Sequence, residues 1–211
     1  MKKGIIFDMD GTLWDSSENV AKSWDEVVRK EKNGLRRITA EDIQNVMGHT
    51  MTEIAEMIFP MLQKEEAMAL MEQCCKAEND YLRRHGGILY PHLEETLKIL
   101  AKQYPLYIVS NCQKGYIEAF LDYYQFWKYF EDIECFGNNN MDKAYNIGLV
   151  AKRNHLERAV YVGDIQGDYN SSKKAGAEFI HAAYGFGRIE ESVPAISAIS
   201  MLPDVVFKGT E

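Results

Sequence analysis

Four cysteines in 211 residues leave little room for thiol chemistry. Cys74, Cys75, Cys112 and Cys135 have no metal-ligand spacing and suggest no disulfide framework, so they read as reduced thiols. The chain also lacks an apolar run long enough to span a bilayer. Its first such run, behind Lys2 and Lys3, stops at Asp8, far short of a secretion signal. The expectation is a cytoplasmic protein with no membrane partner. A basic stripe is missing as well: 24 Lys and Arg against 32 Asp and Glu give a net charge of -8, which argues against a nucleic-acid partner. Any anionic ligand must therefore be held by local groups. No repeat or low-complexity segment interrupts the chain.

What is present is a change of period partway along. Ile5, Ile6 and Phe7 form a short apolar run suited to a buried strand. After Asp15, Val20, Trp24, Val27 and Val28 recur at helical spacing, with Asp15, Ser16 or Ser17 available as the cap. Thr39 and Asp42 predict a capping box that opens a short helix ended by Gly48. Another helix is expected from near Thr52 to Pro60. A longer one, from Gln63 to Arg84, carries Ala67, Leu70, Met71, Cys74 and Tyr81 on one stripe and closes at Gly86 and Gly87. Beyond it helices alternate with short strands at Leu106 to Val109, Ile133 to Phe136, Ala159 to Val162 and Phe179 to Ala182. The tail after Gly187 is poorly patterned. This order predicts an α/β fold: a Rossmann-like parallel sheet core with helices on both faces, formed by residues 1–15 and 86–211, and an inserted all-α cap, residues 16–85.

In such a sheet, ligands sit outside the carboxyl ends of the strands, and polar groups collect there in this sequence. Asp8 and Asp10 follow the first strand, Ser110 and Asn111 a later one, and Asp164 and Asp168 the strand at Val160, while Lys143 opens a helix between them. Two carboxylates separated by one residue at the mouth of a buried strand are costly unless they are paired or hold a metal. These ends offer oxygens, with no histidine and no thiolate, so a hard cation such as magnesium suits them better than zinc. A divalent cation would neutralise the acids and screen an incoming phosphate. Ser110 could give a hydroxyl, Asn111 a backbone N–H and Lys143 a compact positive charge.

Asp8-Met9-Asp10-Gly11-Thr12, Ser110-Asn111, Lys143 and Gly163-Asp164-Ile165-Gln166-Gly167-Asp168 resemble, in order and approximate spacing, the four motifs of the haloacid dehalogenase superfamily. The likeness runs over nearly the whole chain and is greatest to the phosphoglycolate-phosphatase-like branch with a small helical cap. It implies a phosphoric monoester hydrolase in which Asp8 is the nucleophile and Asp10 the acid and base. It further implies magnesium held by Asp8, the backbone carbonyl of Asp10 and Asp164, with Asp168 behind them. Thr12, Ser110, Asn111 and Lys143 would bind the substrate, Lys143 also pairing with the acids. An acid at Asp10 favours phosphate-ester chemistry over dehalogenation.

The expected partner is a small phosphorylated metabolite, and the expected assembly a monomer or weak homodimer. A sugar phosphomutase and a phospho-ligand sensor without turnover are the alternatives. His49-Thr50 after Gly48, in place of a basic residue, counts against the mutase. Lys143 lacks a following proline, and Lys152 competes for its role; the helix-start position favours Lys143. Arg188 is a further candidate anion contact. The aromatic group from Tyr123 to Phe130 reads as core.

Overall fold

In the computed structural model, which describes residues 2–207, the chain opens with β1 (Lys3–Phe7). A two-residue strand, β2 (Trp14–Asp15), leads into four helices: α1 (Ser17–Glu31), α2 (Ala40–Gln44), α3 (Met51–Ile58) and α4 (Lys64–His85). The next strand, β3 (Ile88–Leu89), pairs antiparallel with β2, Trp14 opposite Leu89, so the helical segment leaves and returns through one narrow ribbon. Helices and strands then alternate: α5 (Leu93–Leu100), β4 (Leu106–Ser110), α6 (Tyr116–Tyr124), a 3₁₀ turn at Phe126–Tyr129, β5 (Phe130–Cys135), α7 (Phe136–Asn139) and α8 (Lys143–Arg153). The chain continues through β6 (Arg158–Gly163), α9 (Gln166–Ala175), β7 (Glu178–Ala182), β8 (Ala195–Ile196), a 3₁₀ turn at Ile199–Met201 and α10 (Leu202–Val205).

The main sheet has six parallel strands in the order β5-β4-β1-β6-β7-β8. Strand β1 sits inside it because Ile5, Ile6 and Phe7 have no polar side chain to keep in water, and all three are fully buried. Its neighbours come from far along the chain: Ile5 lies opposite Leu106 on one side and Val160 on the other. Side chains alternate between two faces, as the strand period requires. Ile5, Phe7, Ile108, Val160 and Val162 join one core with Leu93, Leu97 and Phe120. Ile6, Tyr107, Val109 and Tyr161 join a second with Ile147 and Val150 of α8. Helices therefore cover both faces, as expected for an α/β sheet.

The helical segment packs through stripes legible in its spacing. Val20, Trp24 and Val28 of α1 are buried, as are Ala67, Leu70, Met71 and Cys74 of α4. Further along α4 the buried residue is Leu82, not the expected Tyr81, whose ring instead lies 4.3 Å from that of His85. The Thr39–Asp42 capping box is present. A second box, Thr50 with Glu53, opens α3. Thr50 thus caps a helix and has that demand on its hydroxyl.

Sequence patterning did not reveal β2, β3 or β8. Each has two residues, too few for a period of two to stand out. Among the described residues no helix is long and apolar enough to cross a membrane.

Candidate active site

Because the six strands are parallel, their carboxyl ends share one edge, and residues that follow β1, β4 and β6 meet there. Asp8 continues β1, its N–H donating to Val162 O at 2.9 Å. Lys143 begins α8 and is 3 % exposed. Its Nζ lies 2.9 Å from Asp8 Oδ1 and 2.6 Å from Asp168 Oδ1. Burial opposes the charge, but Asp168 and Asp8 together hold the ammonium above its ordinary pKa. Lys152, the rival candidate, is exposed near the other end of α8.

Asp168 occupies the first turn of α9, and its Oδ2 accepts the backbone N–H groups of Asp164 at 3.0 Å and Ile165 at 3.2 Å. With Oδ1 on Lys143 and Oδ2 on the backbone, it orients its neighbours. Asp164 is seated by two close backbone approaches. Phe186 N–H donates to its Oδ2 at 2.7 Å. Gly11 adopts φ +78° beside it, where a Cβ would lie 2.1 Å from that same oxygen.

Oxygens of Asp8, Asp164 and Asp168 lie within 4.8 Å of one another, all three residues being buried. Lys143 alone does not balance this charge. Burial, opposed by Lys143, pushes Asp8 up to about 7; burial, reinforced by Asp168 and Asp8, pushes Asp164 up to about 8. Clustered, buried, oxygen-only carboxylates held partly protonated are a chemical fit for a hard divalent cation, which would displace those protons. The Asp10 carboxylate lies outside this cluster.

Asp10 has its own surroundings. Its Oδ1 accepts from Tyr116 OH at 2.7 Å and from Ser16 Oγ at 2.8 Å, the two hydroxyls themselves 2.7 Å apart. Burial pushes Asp10 up to about 6, while those two hydrogen bonds pull the other way. A carboxyl poised near 6 can give and take a proton around neutral pH. Ser16, offered by the sequence as a helix cap, makes no capping hydrogen bond and turns to Asp10.

Ser110 ends β4, buried at the same edge. Asn111 also ties the helical segment down, its Nδ2 donating to Gly48 O at 2.8 Å. Thr12 is fully buried, its Oγ1 without a hydrogen-bond partner among the described residues and its carbonyl accepting from Tyr184 OH at 2.9 Å. Arg188 is exposed. His49 is exposed, its Nδ1 3.7 Å from Glu53 Oε2. Of the aromatic group, Phe126, Tyr129 and Phe130 are core, whereas Tyr123 and Trp127 are exposed.

Sequence reasoning missed Tyr116, Ser16 and Tyr161. Tyr161 OH lies 2.8 Å from Val109 O and 3.2 Å from Asp8 Oδ1. In the sequence it is one aromatic in an apolar strand, and nothing in that pattern distinguishes a phenol reaching a carboxylate from one filling the core.

The parallel sheet, the long helical excursion after its first strand and the carboxylate–lysine cluster define a hydrolase of the α/β type. The chain belongs to the haloacid dehalogenase-like hydrolase family, whose family model matches residues 5–182. It is a phosphatase-like member. It is 25 % identical to the phosphoglycolate phosphatase of Aquifex aeolicus, over 90 % of this chain and 89 % of that protein. It is 25 % identical to the phosphoglycolate phosphatase of Escherichia coli K12, over 98 % and 89 % of the two chains. The fold matches the crystal structure of a predicted phosphoglycolate phosphatase from Haemophilus somnus 129pt with TM-score 0.83, 18 % identity and 97 % of each chain covered.

Proposed function

We propose that the chain is a magnesium-dependent phosphatase that hydrolyses a small phosphorylated metabolite through an aspartyl-phosphate on Asp8. The observation that carries this reading is the Lys143 ammonium bridging Asp8 and Asp168, with Asp164 alongside. An ammonium on the nucleophile's own carboxylate favours its ionised form against burial and places positive charge where phosphoryl oxygens would arrive.

Asp8 and Asp164 would hold the cation together with the backbone carbonyl of Asp10. When bound, magnesium supplies charge neutralisation for the phosphoryl oxygens. A carboxylate oxygen of Asp8 attacks phosphorus, and the bond from phosphorus to the ester oxygen breaks. Asp10 delivers its proton to the departing alkoxide, releasing a neutral alcohol. The same carboxylate, now ionised, takes a proton from a water that attacks phosphorus. Inorganic phosphate leaves and Asp8 is restored. Tyr116 and Ser16 hold Asp10 in place through both steps. Ser110, Asn111 and Thr12 are assigned to the phosphoryl group in this reading. Residues 16–85 act as the cap, which limits bulk water while the intermediate exists.

The test is hydrolysis of p-nitrophenyl phosphate with magnesium, by wild type and Asp8→Asn. The expected result is turnover that requires both the cation and Asp8, with phosphate trapped on the protein at short times after mixing. Turnover that survives Asp8→Asn would overturn the assignment.

A further inference from the structure

The space beside the phosphoryl site bears on the alcohol that leaves, an inference that rests on the phosphatase reading. A cavity of about 40 Å³ lies between the helical segment and the sheet edge, lined by Asp10, Ser110 and Asn111 on one side and by Trp24, Met47 and Glu78 on the other. Asp10 and Ser110 belong to the proposed site as well, so the leaving alcohol would extend into this space. Its volume suits a group of only a few heavy atoms.

The cavity's lining holds buried acceptors that lack donors. Glu78 is buried in α4, and one carboxyl oxygen accepts from Trp24 Nε1 at 2.7 Å. Gln113, which also lines the cavity, has its Nε2 on Asn79 Oδ1 at 3.0 Å, which identifies its other amide atom as an acceptor. That oxygen, Gln113 Oε1, is buried with no hydrogen-bond partner among the described residues, and Asn111 Oδ1 is in the same position. Unmatched buried acceptors are costly until a donor reaches them. No Lys or Arg lines the cavity among the described residues. His49 is the one lining group able to carry positive charge, and it faces Glu53 at 3.7 Å.

We propose that this cavity selects phosphate monoesters whose alcohol end carries hydrogen-bond donors, a protonated amine fitting best, and disfavours those ending in a carboxylate. An ammonium has three donors and no acceptor, which suits a cavity walled by the Glu78 carboxyl and by amides with unpaired oxygens. Burial pushes Glu78 up to about 8 despite hydrogen bonds from Trp24 and Gln113, so a cation arriving there would bring it back to the ionised form. A carboxylate in the same place brings only acceptors to the unpaired Asn111 Oδ1 and Gln113 Oε1 and gains no cation among the lining side chains. Phosphoglycolate, after which the curated relatives are named, ends in such a group.

The experiment compares kcat/KM of the full chain with magnesium for O-phosphoethanolamine, phosphoglycolate and p-nitrophenyl phosphate. O-phosphoethanolamine is expected to exceed phosphoglycolate by about tenfold or more, and Glu78→Gln to shrink that ratio about tenfold, chiefly through KM. Gln retains an acceptor for Trp24. Should that variant fail to fold, inhibition of wild-type p-nitrophenyl phosphate turnover by the free alcohols serves instead, with ethanolamine expected at lower concentration than glycolate. Aryl phosphate turnover with a preference for phosphoglycolate, with a ratio unmoved by Glu78→Gln, or with stronger inhibition by glycolate, overturns this inference and leaves the phosphatase reading standing. No turnover of the aryl phosphate overturns both.

Discussion

Lys143 Nζ lies 2.9 Å from Asp8 Oδ1, an ion pair between residues 135 positions apart with both side chains under 5 % exposed. Removing one partner of a buried pair leaves the other without compensation. Lys143→Met is therefore expected to lower stability by about 3–5 kcal/mol at neutral pH and to lower kcat by about 10²-fold or more through loss of positive charge at the phosphoryl site. Urea unfolding at two pH values checks the cause. The loss should be smaller at pH 5.5, where Asp8, raised to about 7, is already protonated in the folded chain. An equal loss at both values would contradict it.

Stability without a divalent cation should fall as pH rises. Asp10, Asp8 and Asp164 are raised from 3.8 to about 6, about 7 and about 8. Across that window the folded chain binds more protons than the unfolded chain, so unfolding free energy decreases with pH. Magnesium bound at these carboxylates, as proposed, would compete with the same protons, and its stabilisation should grow with pH, reaching about 2.7 kcal/mol when present at a hundred times its Kd. Thermal unfolding in chelator and in magnesium, at pH 5.5 and 8, measures both effects. A magnesium shift of the same size at both pH values would argue against binding at these carboxylates.

Tyr116 donates to Asp10 at 2.7 Å and so favours its ionised form. Tyr116→Phe removes that donor, and the Asp10 pKa should rise further above about 6. Since the proposed first step needs Asp10 protonated, the alkaline limb of the kcat/KM profile should move to higher pH. The lost hydrogen bond is expected to lower stability by about 1 kcal/mol. A pH profile unchanged by the substitution would show that Asp10 is not the group titrating on that limb.

Gly11 has no room for a side chain because Asp164 Oδ2 would lie 2.1 Å from its Cβ. Gly11→Ala should displace Asp164 and weaken magnesium binding about 10–100-fold, in addition to a backbone cost of about 1–3 kcal/mol from the positive φ. Gly176 has a similar φ of +76°, and a Cβ there would meet nothing within 4 Å, so Gly176→Ala separates the two effects. It should share the stability loss and keep the magnesium affinity, both read from magnesium titrations of Tm.

The strands that build the sheet were legible because buried parallel strands are short apolar runs, and Ile5–Phe7, Leu106–Val109 and Ala159–Val162 have no other plausible use. The end of the sheet was not: β8 has two residues and takes its place from backbone pairing with β7, which leaves no pattern in side chains. Asp8 and Asp164 were readable because charged groups that end apolar strands are expensive and so conspicuous, whereas Lys143 and Asp168 were read from helix starts and from the motif resemblance. Tyr116 and Tyr161 were hidden by the opposite property. Each is an aromatic among apolar neighbours, and its hydroxyl becomes informative only when a carboxylate is seen within reach.

Local chemistry therefore settled the order of helices and strands and the candidates for a phosphoryl site, since periodicity and the cost of burying charge act on neighbouring residues. Which candidates meet was decided by the parallel sheet, which gathers the ends of β1, β4 and β6 on one edge. The tertiary structure alone brought Lys143 rather than Lys152 to Asp8, turned Ser16 from helix cap to partner of Asp10, and placed Glu78 in one cavity with Asp10 and Asn111. Those are contacts between distant segments, and their energies depend on distance and burial, quantities that exist only once the chain has folded.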